Sequence, residues 1–196
     1  MTDNVRWHQG EVPSAVRAGV TNGEGCTVWL TGLSGSGKST IAHRCEMAVI
    51  EAGRPAYTLD GDNIRHGLNT DLGFSATDRV ENVRRVGEVA RLMADAGIVV
   101  FAPLISPYAD GRLAVKYQHC NADIAFYEVH ISTPLEVCEE RDTKGFYAMA
   151  RAGEIADFTG ISAPYEAPEH PDLTIDTTTV DLDTAVTQIL ALIGMR

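Results

Sequence analysis

The residues whose types and spacing point most directly to chemistry form one short run, Gly32-Leu33-Ser34-Gly35-Ser36-Gly37-Lys38-Ser39. The run matches G-x-x-x-x-G-K-[ST], a loop whose backbone N–H groups surround phosphate oxygens. A lysine at this place adds positive charge, and the following hydroxyl is suited to ligate Mg²⁺. We therefore expect Lys38 and Ser39 to hold the phosphoryl donor, a nucleoside triphosphate with Mg²⁺.

The residues around the loop predict that it lies between a strand and a helix. The run Thr27-Val28-Trp29-Leu30-Thr31, rich in β-branched and aromatic residues, is typical of a buried strand. Apolar residues then recur at helical spacing until Gly53, which stands where a left-handed helix stop would fall. A helix that begins directly after the loop directs its positive end toward the same phosphates.

Asp62 stands at the end of a second predicted strand, 54–60, in the turn Gly61-Asp62-Asn63. A carboxylate at this place can accept the proton of an attacking hydroxyl or engage a metal-bound water. The alternative interpretation is that Asp62 only caps the turn, where Asp and Asn are common.

Several cationic and amide side chains crowd one segment of the chain. Arg79 and Asn82 are three residues apart on a predicted helix, so they share a face and can grip one anionic ligand together with Arg65. Solvated helix surface is a sufficient interpretation of Arg84 and Arg85.

Two aromatic residues and one serine fall in predicted loops. Phe74 and Phe158 could sandwich a flat base, or could simply plug the core. Ser106 follows the third predicted strand and either caps the next helix, with Pro107 at its first position, or contacts a ligand or acts as a nucleophile.

Strands and helices alternate along the whole chain. Further strands are predicted at 98–102, 125–131 and 172–176, and helices at 78–96 with an N-cap at Thr77 or Asp78, at 109–119, from about Pro134 and around 182–190. This order predicts an α/β fold with one parallel sheet flanked by helices and ligands at the carboxyl ends of the strands.

The stretch from about 141 to 171, after the fourth strand and its helix, has weak hydrophobic periodicity and several Gly and Pro residues. Long insertions of this kind in compact domains are usually functional, so we expect a lid that closes over bound nucleotide. A plain surface loop is the alternative.

Composition limits the classes of function. The 196 residues, 44% of them hydrophobic, suffice for one domain, expected at 26–196 and preceded by an irregular arm at 1–25 with a short helix near 13–18 and Trp7 as its anchor. A net charge of −11 argues against non-specific nucleic-acid binding. We expect neither a membrane span nor a secretion signal, hence a cytoplasmic location, with the four cysteines reduced and filling apolar positions.

Taken together, these stretches resemble the adenylylsulfate kinase family, from Val28 to about Thr177. The resemblance rests on the order and spacing of the phosphate loop, of LDGDNIRHGL at 59–68, LGFS at 72–75, DRVENVRR at 78–85, ISPY at 105–108 and KGFYAMARAGE at 144–154. It identifies the fold as that of P-loop kinases. It implies ATP-dependent phosphorylation of adenosine 5′-phosphosulfate on the ribose 3′-hydroxyl during sulfate activation, with Mg²⁺, in a homodimer.

The resemblance also implies residue roles. The ATP-binding residues would be Gly32, Leu33, Ser34, Gly35, Ser36, Gly37, Lys38, Ser39, Thr40 and Arg141. The acceptor would contact Asp62, Arg65, Phe74, Arg79, Asn82, Ile105, Ser106, Lys144 and Phe158. Phe74 and Phe158 would stack the adenine, Arg65, Arg79 and Asn82 would hold the phosphosulfate, and Asp62 would orient the 3′-hydroxyl and join Ser39 at the metal.

Ser106 matches a serine that is described for this family as a phosphorylated intermediate. The resemblance would therefore make Ser106 a catalytic residue together with Asp62 and Lys38. We prefer direct in-line transfer from ATP, since the phosphate loop already positions the donor. Ala148-Met149 departs from the basic pair usual in the family's lid, and Pro103-Leu104 from its uniformly apolar approach to Ile105.

Three other functions compete with this interpretation. A GTP-driven switch would need an Asn-Lys-x-Asp guanine reader, which the sequence lacks. A kinase for a nucleoside monophosphate or a small polyol would use the same loop on another acceptor. A silent subunit kept for assembly would not need Lys38, Ser39 and Asp62.

Overall fold

The computed structural model describes residue 6, residue 8 and residues 10–195. The predicted anchor Trp7 and the first five residues of the predicted arm lie outside the described residues. Within the arm, Ser14–Val20 form helix α1, with Pro13 as its N-cap residue, close to the short helix that the sequence predicts.

Five strands form one parallel sheet in the order β2-β3-β1-β4-β5. They are β1 Cys26–Thr31, β2 Ala56–Thr58, β3 Val99–Pro103, β4 Ala125–Ile131 and β5 Leu173–Ile175. All six residues of β1 are buried, as expected of a central strand covered on both faces. The predicted α/β fold with a parallel sheet is confirmed.

Helices cover both faces of this sheet. After α1 they are α2 Lys38–Glu51, α3 Ala76–Asp95, α4 Ala109–Cys120, α5 Leu135–Arg141, α6 Phe146–Arg151 and α7 Leu182–Leu192, with a 3₁₀ turn at Asn63–His66. Val28 and Leu30 of β1 pack with apolar residues of α2 and α7. Trp29 points to the other face and packs with residues of α3 and α4. The alternation along β1 therefore divides the core into two layers.

Two predicted boundaries need correction. Helix α3 begins at Ala76 because the hydroxyl of Ser75 accepts a hydrogen bond from the backbone N–H of Asp78 at 3.2 Å, so Ser75 is the N-cap rather than Thr77 or Asp78. Strand β2 is shorter than predicted, since only Ala56–Thr58 pair with β3. The predicted insertion from about 141 to 171 contains a helix that its weak periodicity does not indicate, α6.

Helix α6 has its own small core. Tyr147 and Ala150 pack with Cys138 of α5 and with Phe158, and the hydroxyl of Tyr147 donates to the backbone carbonyl of Ser34 at 2.9 Å. The segment after α5 is thereby fixed against the phosphate loop. Among the helices within residues 10–195, none combines the length and apolar composition that crossing a bilayer requires.

Candidate active site

A cavity of about 580 Å³ opens at the carboxyl ends of β1, β2 and β3. Lys38 follows β1, Asp62 follows β2, Ser106 follows β3 and Lys144 follows α5, and all four line this cavity. Most of the predicted site residues are brought together here: Ser34, Gly35, Gly37, Lys38, Ser39, Thr40, Asp62, Arg65, Phe74, Arg79, Asn82, Ile105, Ser106, Lys144 and Phe158. Parallel strands end at one edge of a sheet, which explains the convergence.

Four predicted ATP-binding residues, Gly32, Leu33, Ser36 and Arg141, do not line the cavity. Ser36 is fully buried, and Leu33 packs beside the cluster of Cys138 and Tyr147. Arg141 donates to the hydroxyl of Thr177 at 2.8 Å, on the outer side of the loop. In this structure these four residues support the loop from the side that does not line the cavity.

The loop owes its shape to glycine at positions where a side chain does not fit. Gly37 has a φ of 102°, in the left-handed region, and directly precedes α2. At Gly32 the φ is 153°, and a Cβ would lie 2.4 Å from the backbone carbonyl oxygen of Ile131. No side chain caps the start of α2, so the first N–H groups of the helix remain available for an anion.

Lys38 is held inside the loop. Its side chain is buried, and Nζ donates to the carbonyl oxygen of Leu33 at 2.6 Å and to Oγ of Ser36 at 3.3 Å. Burial lowers the pKa of Lys38 from 10.5 to about 8, because removal from water disfavours the ammonium. A phosphate beside Nζ would supply the negative charge that this buried cation lacks.

The carboxylate next to Ser39 is Asp60, which sequence reasoning missed. Ser39 Oγ donates to Oδ2 of Asp60 at 2.7 Å, and the backbone N–H of Asp62 donates to Oδ1 at 2.9 Å. Burial raises the pKa of Asp60, but the hydrogen bonds from Ser39, Asp62 and Asn63 outweigh it and hold that pKa below its usual value. Asp60 is therefore ionised and buried beside the predicted metal ligand.

Asp62 is exposed and lines the same cavity. Its carboxylate forms an ion pair with Lys144, which lies between α5 and α6. The pair joins the end of β2 to the segment that follows α5. By sequence, either aspartate of Asp60-Gly61-Asp62 could belong to a site at the end of β2. The structure shows that Asp60 is the one whose carboxylate accepts a hydrogen bond from Ser39.

The cationic end of the cavity is built around Arg79. This side chain is 9% exposed and donates to three oxygens: the carbonyl of Phe74 at 2.8 Å, the hydroxyl of Thr159 at 2.5 Å and the carbonyl of Asp157 at 2.6 Å. Arg79 thus ties the loop before α3 to the segment after α6. Sequence reasoning did not single out Thr159, whose partner is 80 residues away along the chain.

The two predicted stacking residues differ in their surroundings. Phe74 is 63% exposed, and the guanidinium carbon of Arg65 lies 4.3 Å from its ring centroid. Phe158 is 9% exposed and packs edge-on against Tyr147, with ring centroids 5.0 Å apart. Both rings line the same cavity, so a flat base between them would contact one exposed ring and one ring packed in a cluster.

Ser106 does not cap the next helix, so that interpretation is wrong: α4 begins at Ala109 with Tyr108 as its N-cap residue. Instead Ser106 has a φ of 40° and is 3% exposed. Its Oγ accepts from Nε1 of Trp29 at 3.1 Å and donates to Oγ1 of Thr31 at 2.9 Å. The same hydroxyl lies 3.4 Å from the backbone carbonyl oxygen of Leu104, and none of these three partners is a base that could activate a nucleophile.

Arg112 is a second residue that sequence reasoning missed. It is 3% exposed, pairs with Glu128 at 2.7 Å, and donates to the backbone carbonyl of Ser106 at 2.7 Å and of Glu166 at 2.8 Å. All three nitrogens of this guanidinium donate, and one of these bonds holds the turn at Ser106, whose φ is positive. Nothing in the local pattern of α4 indicates Glu128 and Glu166 as partners, since they come from β4 and from the segment before β5.

Comparison with known proteins agrees with this geometry. The family model for adenylylsulphate kinase matches residues 24–176. Adenylyl-sulfate kinase from Shewanella sp. (strain ANA-3) is 54% identical over 190 residues, covering 97% of this chain and 90% of the relative. The Mycobacterium tuberculosis APS kinase, solved in complex with AMPPNP and APS, is 51% identical with a TM-score of 0.85, covering 87% of this chain and 98% of that one.

A third similar structure is described as a hexameric APS kinase from Thiobacillus denitrificans. It is 35% identical with a TM-score of 0.67, and the match covers 93% of this chain and 32% of that chain. The family model spans well over half of the chain, and the identity to the Shewanella relative extends over nearly all of it. The protein therefore belongs to the adenylylsulfate kinase family.

Proposed function

We propose that the protein transfers the γ-phosphoryl group of ATP to the ribose 3′-hydroxyl of adenosine 5′-phosphosulfate, giving 3′-phosphoadenylyl sulfate and ADP. One observation supports this most strongly: a single cavity has the phosphate loop at one end and Arg79 with Phe74 and Phe158 at the other. Donor and acceptor bound at these ends would meet inside it. The M. tuberculosis relative was solved with AMPPNP and APS bound together.

The donor end suits a triphosphate. The N–H groups at the start of α2 and the ammonium of Lys38 would hold the β- and γ-phosphates. The hydroxyl of Ser39 and the ionised Asp60, 2.7 Å apart, fit Mg²⁺, which keeps several waters and takes few protein oxygens beside the phosphates. Bound there, Mg²⁺ would neutralise negative charge on the phosphates. Asp62 was the expected carboxylate, and Asp60 is better placed.

The acceptor end suits a flat base joined to an anionic group. The adenine would stack between Phe74 and Phe158, and Ile105 and Ser106 would also contact the acceptor. The phosphosulfate would lie against Arg65, Arg79 and Asn82. The guanidinium of Arg65 already lies over the ring of Phe74, so the positive charge for the phosphosulfate and the ring for the adenine would be next to each other.

The reaction balances without a covalent enzyme intermediate. The 3′-oxygen forms a bond to the γ-phosphorus as the bond to the bridging β-oxygen breaks, and Asp62 accepts the hydroxyl proton. The buried Ser106, whose hydroxyl has an indole and a hydroxyl as partners, supports direct transfer over a phosphoserine. Lys144, now paired with Asp62, would turn to the transferring group and release that carboxylate.

We further propose that residues 141–171 act as the lid of the domain at 26–196 and that the arm at 1–25 lies on a neighbouring subunit. Half-exposed apolar side chains on α3 and α4, such as Val80, Leu113 and Tyr117, support self-association as a homodimer. The requirement for ATP and the four free thiols support work in the cytoplasm.

The direct test supplies purified protein with Mg-ATP and adenylyl sulfate and follows the products by mass spectrometry. We expect ADP and 3′-phosphoadenylyl sulfate in equal amounts, and much slower phosphorylation when AMP replaces adenylyl sulfate. Equal rates with both acceptors would contradict the proposal in favour of a nucleoside monophosphate kinase.

A further inference from the structure

Asn69 is a fully buried amide behind the wall of the cavity, in the turns between the 3₁₀ helix and α3. It is not itself one of the lining residues. Its Nδ2 donates to Oδ1 of Asn82 at 3.0 Å, and Asn82 does line the cavity. Asn69 thus reaches the acceptor end through one side chain.

This hydrogen bond decides which half of the Asn82 amide faces the cavity. An asparagine side chain has one acceptor oxygen and one NH₂ group with two donors. The oxygen of Asn82 is held by Asn69, and within residues 10–195 the structure records no hydrogen bond from Nδ2 of Asn82. The NH₂ group is therefore the half left for a ligand. Arg65 and Arg79 line the same cavity, so with the NH₂ group of Asn82 three donor-bearing side chains are available to an anion.

The presence of an amide at position 69 has a structural cost. Oδ1 of Asn69 is buried and has no hydrogen-bond partner among the described residues. A buried acceptor without a partner destabilises a fold, and an apolar side chain of similar shape would avoid that penalty. Stability alone therefore does not account for an amide at position 69.

We propose that Asn69 is a positioning residue: it fixes the amide of Asn82 so that its N–H groups, and not its carbonyl, meet the anionic part of the acceptor. The inference rests on the proposed function, which puts the phosphosulfate of the acceptor against Asn82. It assigns to this pair a part in selecting a negatively charged acceptor over one that presents hydrogen-bond donors.

Two substitutions separate orientation from mere contact. In Asn69→Asp the carboxylate only accepts, so it draws the NH₂ group of Asn82 and turns the carbonyl toward the anion. In Asn69→Leu the amide of Asn82 is released but not reversed. We expect the KM for adenylyl sulfate to rise about threefold to tenfold in N69L and more than about tenfold in N69D, the scale of a net hydrogen bond and of an unfavourable contact with an anion. The KM for ATP should change less than about twofold in both, because neither substitution reaches the phosphate loop.

Thr27→Val is the matched control. Thr27 is also fully buried, and its hydroxyl bonds to a ring nitrogen of His119 at 3.0 Å, at the opposite end of β1 from the cavity. T27V removes a comparable buried hydrogen bond and should leave the KM for adenylyl sulfate unchanged. A KM that rises equally in T27V and N69L would overturn the inference, because general loosening would then explain both.

A double-mutant cycle gives the decisive measurement, and it does not depend on whether N69D folds. If Asn69 acts through Asn82, N69L adds nothing to the KM for adenylyl sulfate once Asn82→Ala is present. A full effect of N69L in the N82A background would overturn the inference. Wild-type protein that fails to phosphorylate adenylyl sulfate would overturn the proposed function and this inference with it, whereas wild-type turnover with an unchanged KM in N69L and N69D would overturn only the inference.

Discussion

A single side chain in the phosphate loop has to be both buried and charged. Lys38 loses water on burial, which lowers its pKa to about 8, and the chain compensates with the carbonyl of Leu33 and the hydroxyl of Ser36. Such a group is at its most stable when an anion arrives. At the scale of the residue, the binding energy for ATP therefore includes relief of a cost that the free protein bears.

Lys38→Ala should abolish most activity without harming the fold. We expect kcat/KM to fall by about 10²- to 10³-fold, the usual loss when a donor to developing charge is removed. Because the unfolded chain binds this proton more tightly than the folded one between about pH 8 and 10.5, the charged lysine destabilises the fold at pH 7, and this cost disappears as the pH rises through that window. The melting temperature of K38A at pH 7 should thus be no lower than that of wild type.

Arg44→Ala is the control for K38A. Arg44 lies on the same helix, half exposed and paired with Asp183 at 3.3 Å, so its loss should change neither rate nor melting temperature appreciably. Near-normal turnover by K38A would contradict the role given to Lys38.

At the scale of the element, α3 organises the end of the cavity that we propose for the acceptor. Its first turns present Arg79 and Asn82 to the cavity, its N-cap Ser75 fixes where the helix begins, and Arg79 binds the segment after α6 through Asp157 and Thr159. The segment after α6 is therefore attached to a helix that is itself packed on the sheet. The position of that segment and the shape of the proposed acceptor end of the cavity depend on the same guanidinium.

Arg79→Ala should affect the acceptor much more than the donor. The loss of a charged hydrogen-bond donor costs about 1.5–3 kcal/mol, so the KM for adenylyl sulfate should rise about tenfold to 100-fold. Steady-state kinetics with each substrate varied in turn would show the KM for ATP little changed.

Arg84→Ala serves as its control, since Arg84 lies on the exposed side of α3 and pairs only with Glu81 among the described residues. Parallel increases in both KM values for R79A would place Arg79 outside the acceptor site.

The elements were largely predictable from the sequence, whereas the contacts between them were not. Buried β1 and the amphipathic α3 follow from local periodicity. The phosphate loop is recognisable because its backbone needs glycine at positions with positive φ. Asp60 and Asp62 are two residues apart in one turn, and only the path of the backbone decides which one meets Ser39. Ser106 resembles a helix cap in sequence because Pro107 and a predicted helix follow it. Its positive φ and its hydrogen bond from Trp29 have no local sequence signal, so the sequence did not predict them.

At the scale of the whole molecule, the sheet separates a chemically active edge from a protected interior. Cys26 and Cys45 lie in the core on one face of the sheet, and Cys138 lies beneath the phosphate loop, while Cys120 is exposed at the end of α4. Burial raises the pKa of Cys26 to about 11 and of Cys45 to about 12. The four cysteines are unbridged, and three of them occupy buried positions, as the sequence predicted for apolar sites, whereas Cys120 does not.

Iodoacetamide at pH 8 should therefore alkylate Cys120 first. Thiolates are the reactive species, and buried thiols with raised pKa values supply few of them. Intact-mass analysis should show one addition to the native protein and up to four after unfolding in urea, the full count of cysteines. Labelling of Cys45 as fast as Cys120 would show that the core opens on the time scale of the reaction.

Helices α3 and α4 approach each other where Gly87 meets Val115, and a Cβ at position 87 would lie 2.6 Å from Cγ2 of that valine. Valine is stiff and buried, so an added methyl group would have to spread the two helices. Helix α3 bears Asn82 and α4 begins shortly after Ser106, and both of these residues line the cavity, whereas Gly87 does not. Spreading the two helices by a larger side chain at position 87 would therefore change the shape of the cavity without replacing any residue that lines it.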